Sequence, residues 1–203
     1  MYRKRILFFI VSAALLVSCG SQKTVVKKFY VIEYPEIYDV ISVDSLPLTS
    51  AFCRIQDVEV YPAYAARQIA HRNRSNEIQY YQNHEWAVRP EIFLNHLVRD
   101  YLEKTNIFAG VATRYWKVEP EYSFETTIYN LEILQQESKL SAHVRLEMRL
   151  VERVSGKTLV RHTANVTSPL EKKDLNVAAS LISSIFTAEL EQATQKIRAV
   201  IVE

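Results

Sequence analysis

Glycine is almost missing from this sequence. Three occur in 203 residues, Gly20, Gly110 and Gly156, and none belongs to a run. A phosphate-cradling loop or a dinucleotide fingerprint needs clustered glycines so that backbone can approach phosphate, so both are excluded. Cysteine is scarcer still, with only Cys19 and Cys53, too few for a disulfide framework. No apolar run reaches the roughly 20 residues of a membrane-spanning helix. The run Ile6 to Val17 has 12 residues, broken by Ser12, and no other stretch approaches spanning length. There is no G-x-S-x-G nucleophile motif. His71, His84, His96, His143 and His162 lack metal-ligand spacing, and "HEWAV" lacks the second histidine of a zincin. Isolated, hydrogen-bonded histidines are the simpler reading. These absences point away from an enzyme, and neither metal nor cofactor is expected.

What is present begins with "MYRKRILFFIVSAALLVSCGS". Arg3, Lys4 and Arg5 precede the short apolar run, and small residues follow it, the pattern of a secretory signal. Leu16, Val17, Ser18 and Cys19 resemble the lipobox of bacterial lipoproteins, in which the cysteine is acylated and becomes the first residue. A thioether to diacylglycerol requires a sulfur nucleophile, which is why cysteine stands there. Each buried methylene contributes roughly 0.8 kcal/mol, so a multiply acylated Cys19 holds the chain on a bilayer. The expected division is a signal peptide over 1–18, an acylated N-terminus and tether over 19–27, and one domain over 28–203. Loss of Arg3, Lys4 and Arg5 leaves 22 basic against 23 acidic side chains. A near-neutral exported chain lacks the basic footprint of a nucleic-acid binder. Cys53 then has no intramolecular partner and reads as a buried small apolar residue in a strand. A catalytic thiol is the sharper alternative, without a local motif to support it.

The patterning predicts an α+β domain, mainly an antiparallel sheet with two principal helices packed on it. "KFYVIEY" and "AFCRIQDVEVY" read as strands, and "PEIYDVISVDSLPLTS" between them as a surface connection. "RQIAHR" and "EIQYYQNHEWAV" read as a hairpin. Pro90 suits a first helical turn, and Leu94, Leu97, Val98, Tyr101 and Leu102 follow at helical steps to about Lys104. The clearest period runs from Leu140 to Leu150, where even positions are apolar and odd ones polar, a half-buried strand. Ser155 and Gly156 turn it into "KTLVRHTANVT". Upstream, "YSFETTIYNLEIL" alternates with a phase shift between Ile128 and Tyr129, which predicts a bulge. Ala178, Ile182, Phe186, Leu190, Ala193, Ile197 and Ile201 trace the seam of a closing helix, with Asp174 placed to cap it.

Residues 61–86 are the unusual stretch. Tyr61, Tyr64, Tyr80, Tyr81 and Trp86 stand on either side of Arg67, Arg72 and Arg74, the residue types that anchor protein interfaces. A docking surface and a hairpin whose aromatics pack inward both fit this composition. The segment "VEVYPAYAARQIAHRNRSNEIQYYQNHEWAVRPEIFLNHLVRDYL" resembles the characteristic stretch of the ABC-type transport auxiliary lipoproteins, the PqiC-like family. The resemblance rests on Pro62, Tyr64, Arg67, Gln68, Ile69, Arg72 and Trp86 ahead of an amphipathic helix. The order of the remaining elements extends it over nearly all of the mature chain.

That resemblance implies a periplasm-facing, outer-membrane lipoprotein that works with an MCE-domain protein, a permease and an ATPase to move lipids between membranes. It implies no hydrolysis by this chain. Tyr64, Arg67, Gln68, Arg72 and Trp86 become the candidate partner-binding residues, Cys19 the lipidation site, and self-association stays open. Gly20, rather than an acidic residue, follows Cys19, which favours sorting to the outer membrane. The rival is a lipid-binding carrier or assembly lipoprotein with an internal acyl cavity. A pocket of several hundred Å³ lined by apolar side chains would favour the carrier. A filled core with an exposed aromatic and arginine patch would favour the docking module.

Overall fold

The computed structural model describes residues 26–33, 46–74, 76–114, 118–137 and 139–202. The expected signal peptide, Cys19, the tether up to residue 25 and most of the connection that follows the first strand lie outside the described residues. The organising element is a three-strand meander: β7 (Tyr122–Gln136), β8 (Lys139–Glu152) and β9 (Thr158–Pro169), paired antiparallel. Alternation dictates it. Ala142, Val144, Leu146, Met148 and Leu150 of β8 are all buried, and the residues between them lie on the opposite, polar face. Gly156 closes the β8–β9 turn at φ +69°, a left-handed conformation in which a Cβ is strained. Ser155 helps, its hydroxyl donating to Glu152 and accepting from the Lys157 N–H.

Among the described residues, six shorter strands complete a nine-stranded sheet. They are β1 (Lys28–Tyr30), β2 (Phe52–Ile55), β3 (Glu59–Val60), β4 (Gln68–Arg74), β5 (Glu77–Trp86) and β6 (Gly110–Ala112). The expected β4–β5 hairpin is present and antiparallel. The second expected strand is split into β2 and β3. Unlike the meander, β2, β3 and β4 run parallel to β7 and share one of its edges end to end, at 122–124, 127–128 and 132–134. β1 on β5 and β2 on β6 are parallel as well. Parallel pairs need a long crossover. Here α1 (Pro90–Lys104) lies in the connection from β4 and β5 to β7. The sheet remains mainly antiparallel because its long ladders are.

The two helices among the described residues bury their apolar stripes in one core. α1 begins with Pro90 in its first turn and buries Leu94, Leu97, Val98, Tyr101 and Leu102. It ends at Thr105, followed by Asn106 at φ 48°, the left-handed residue that commonly stops a helix. α2 (Leu175–Val202) lies on β8 and β9 and buries Ala178, Ile182, Phe186, Leu190, Ala193 and Ile197. Asp174 caps it, accepting the Asn176 N–H at 2.8 Å. Arg198 of α2 donates to the Thr105 carbonyl, which ties the two helices together.

The phase shift in β7 is a bulge. Ile128 faces Leu146 and Asn130 faces Arg145, so Tyr129 is the extra residue. Before it, Phe124, Thr126 and Ile128 point to the core; after it, Leu131 and Ile133 do. The bulge therefore turns Glu132 away from the helices and onto the polar face, opposite His143.

Candidate functional site

Glu132 is the centre of that face. It is 1% exposed, and a buried carboxylate without partners would be costly. Arg72 on β4 reaches it with Nε at 3.0 Å from Oε2 and Nη2 at 2.9 Å from Oε1. The Tyr64 hydroxyl donates to Oε2 at 2.9 Å and accepts from Arg72 Nη2 at 2.6 Å. Asn130 Nδ2 lies 3.1 Å from Oε1, and His143 Nδ1 lies 2.9 Å from the same oxygen. His143 Nε2 meets Asn165 Oδ1 at 2.8 Å. Burial alone would raise the Glu132 pKa, but the hydrogen bonds from His143, Tyr64 and Arg72 and the arginine charge outweigh it and hold it below the usual carboxylate range. The Glu132 hydrogen bond is the main reason that His143 titrates above an ordinary histidine, with Asn165 adding to it.

These contacts define what the cluster can do. Both carboxylate oxygens are engaged by several donors, so Glu132 has no free lone pair aimed at a substrate, as a general base must have. The arrangement instead clamps the turn at residues 61–64 onto the sheet through Tyr64. Backbone bonds continue the clamp, from Tyr61 N–H to the Ile128 carbonyl and from Tyr64 N–H to that of Tyr61.

A second cluster sits at the β1 edge. Glu85, nearly buried, is bonded to Lys27 and lies 3.8 Å from Arg67 Nη2. The Lys27 hydrogen bond holds its pKa below the usual range. Arg67 Nε donates to the Trp86 carbonyl at 3.1 Å, and its guanidinium stacks 5.3 Å from the Phe29 ring centre.

The five expected partner-binding residues thus fall into two groups. Tyr64 and Arg72 meet at Glu132; Arg67 and Trp86 meet beside Glu85; Gln68 is exposed on β4. Tyr64 is 3% and Trp86 2% exposed. Both lost their water on folding, so neither retains a dehydration gain for a partner. The accessible part of the expected patch is Arg67 and Gln68, with Arg72 half-buried. Sequence reasoning did not find Glu132 and His143. The signal was the phase shift itself, which sets the lone acid of "NLEIL" opposite His143.

Cys53 is fully buried in β2, and burial pushes its thiol up to about 12. It holds no thiolate at neutral pH and is not a nucleophile. Among the described residues, no three His, Cys, Asp or Glu side chains are grouped to hold a metal ion. No helix among them is long and apolar enough to cross a membrane.

Sheet, helices and clamped polar clusters define an α+β module whose ionisable groups serve to fix its loops. The chain belongs to the family described as the ABC-type transport auxiliary lipoprotein component, whose model matches residues 43–194. This is a family of transport auxiliaries and not a known enzyme family. Among solved structures, protein XCC0632 from Xanthomonas campestris, a DUF330 protein, is 18% identical with a TM-score of 0.68, over 85% of this chain and 96% of that one. The hypothetical protein CT253 from Chlamydia trachomatis is 5% identical with a TM-score of 0.52, over 75% and 98%. At these identities the likeness concerns the fold. No curated protein matches the chain.

Proposed function

We propose that this chain is a lipid-anchored, periplasm-facing subunit that docks an MCE-type, ABC-driven intermembrane lipid transporter onto the outer membrane. The family match over residues 43–194 carries the reading, because an auxiliary component of an ABC-type transporter has a transporter as partner. The short apolar run ending at Cys19 supports the anchor and export. Energy comes from the ATPase, and this chain binds rather than reacts.

The packing supports docking over the carrier. Phe124, Ile128, Leu146 and Met148 of the sheet fill the space against Ile182, Phe186 and Leu190 of α2. A groove of about 500 Å³ beside β7 is lined by Gln56, Asp57, Glu59, Glu125 and Arg149 among others, a polar wall unsuited to an acyl chain.

Two measurements test the reading. Intact mass should show a mature chain that begins at an acylated Cys19, and Cys19→Ser should leave an unlipidated precursor. Arg67→Ala with Gln68→Ala should weaken co-purification of an MCE-domain partner by more than the small fall in the circular-dichroism melt that loss of the Arg67–Trp86 carbonyl bond brings. Trp86→Ala should instead lower the melt, as a core residue must. Unchanged co-purification in the double variant would remove this surface from the docking interface.

A further inference from the structure

The β1 edge exposes apolar side chains that the fold does not cover. Val26 is 72%, Phe29 54% and Val31 38% exposed. Among the described residues β1 pairs with β5 and with no second strand, so its other edge carries no strand from them. An edge strand carrying exposed apolar groups is a template for unwanted pairing unless something covers it. Lys27, Lys28 and Arg67 surround these residues with positive charge, against the acids Glu33 and Glu85. Aromatic and aliphatic side chains interspersed with cations are the composition of a surface resting in a headgroup layer.

We infer that the Val26–Val31 edge, with Arg67 over Phe29, is a bilayer-contacting face that seats the domain on phospholipid beside its own anchor. This rests on the proposed acylation of Cys19. From Cys19 to Val26 is seven residue steps, which span at most about 25 Å. A chain anchored at Cys19 therefore holds Val26 within about 25 Å of the membrane, and an apolar edge held so near lowers its free energy by turning into the interface. Phe29 is the centre of the contact. The ring enters the acyl boundary, and Lys28, exposed next to it in β1, reaches phosphates.

The far end of α2 supplies a control. Its first turns flank β1: Phe29, Val31, Ala179 and Ser183 line one groove of about 340 Å³, and the Glu33 N–H donates to Ser183 Oγ. Val202, 70% exposed, ends the same helix. At 1.5 Å per residue it lies about 28 Å along the axis from Ser183.

The test places tryptophan at Phe29 or at Val202 in the chain produced with its own signal segment and reconstituted into 3:1 phosphatidylethanolamine:phosphatidylglycerol vesicles. Emission is read with and without phospholipid brominated near the glycerol end of its chains, and the parent's signal is subtracted. Quenching of at least twofold at Phe29→Trp, with little at Val202→Trp, is expected. No quenching at position 29, or equal quenching at both positions, overturns the inference. A second arm starts the chain at Cys19 and couples that thiol to a maleimide phospholipid in the same vesicles, Cys53 being too buried to react. If intact mass shows no native acylation, the anchor reading fails, and the coupled arm still decides whether this face meets the bilayer.

Discussion

Replacing Glu132 with glutamine tests whether the clamp on the polar face governs stability. The substitution keeps size and shape while it removes the charge and one acceptor oxygen, and an amide N–H₂ group then faces donors from Arg72 or from Asn130 and His143. Breaking a buried pair by removing one partner costs about 3 to 5 kcal/mol. Arg72 keeps about a quarter of its side-chain surface in water, so the low end, about 3 kcal/mol, is expected. Against a total of roughly 5 to 15 kcal/mol, that is a large fraction. The pH profile adds a sharper signature. Glu132 has a depressed folded pKa, so its contribution is present above the ordinary value of 4.5 and lost as pH falls through the folded value. His143 has a raised one, so its contribution is complete below 6.5 and lost as pH rises through its folded value. The gap between parent and Glu132→Gln, measured by urea denaturation followed by circular dichroism, should be widest between pH 4.5 and 6.5 and narrow on both sides. A loss below about 1 kcal/mol, or a gap that does not vary with pH, would refute the reasoning.

Three further outcomes follow from burial and backbone geometry. Leu146→Ala should cost about 2 to 5 kcal/mol and Phe186→Ala about 3 to 5, because both are 1% exposed and each leaves a cavity in the one shared core; unchanged unfolding midpoints would contradict the packing. In a Cys19→Ser chain, Cys53 should resist an aromatic disulfide reagent at pH 8 until denaturant is added, and rapid native labelling would contradict a thiol pushed up to about 12. Glu137 closes the β7–β8 turn at φ 54°, where asparagine is better tolerated, so Glu137→Asn should raise the midpoint by an amount worth about 0.5 to 1 kcal/mol; a lowered midpoint would contradict the assigned turn.

Much of this fold was legible because local periods are written by burial. The alternation from Leu140 to Leu150, the seam from Ala178 to Ile197 and the proline opening α1 each specify an element within a few turns of chain. Even the bulge at Tyr129 announced itself as a change of phase. Parallel pairing did not. A strand buried against β7 reads the same whichever way its neighbour runs, so the shared edge of β2, β3 and β4 leaves no local trace. The candidate patch was half legible for a related reason. Tyrosine, tryptophan and arginine serve interfaces and buried clamps alike, and only the contact of Arg72 with Glu132, 60 positions along, separates the two.

The shared edge of β7 also orders events in time. A chain is made from its N-terminus, and β1, β2 and β3 come out long before the strands they pair with. β1 waits for β5, β2 for β6 and β7, and β3 for β7. Until residues 122–124 are made β2 has no neighbour on β7, and β3 has none until 127–128, and closing so long a loop carries an entropic cost before any contact offsets it. The β7–β8–β9 meander suffers no such delay, since its ladders join consecutive segments. A polypeptide made from its N-terminus therefore holds β1, β2 and β3 unpaired while the middle of the chain is still to come, and these early strands must be kept from other unpaired edges on the way.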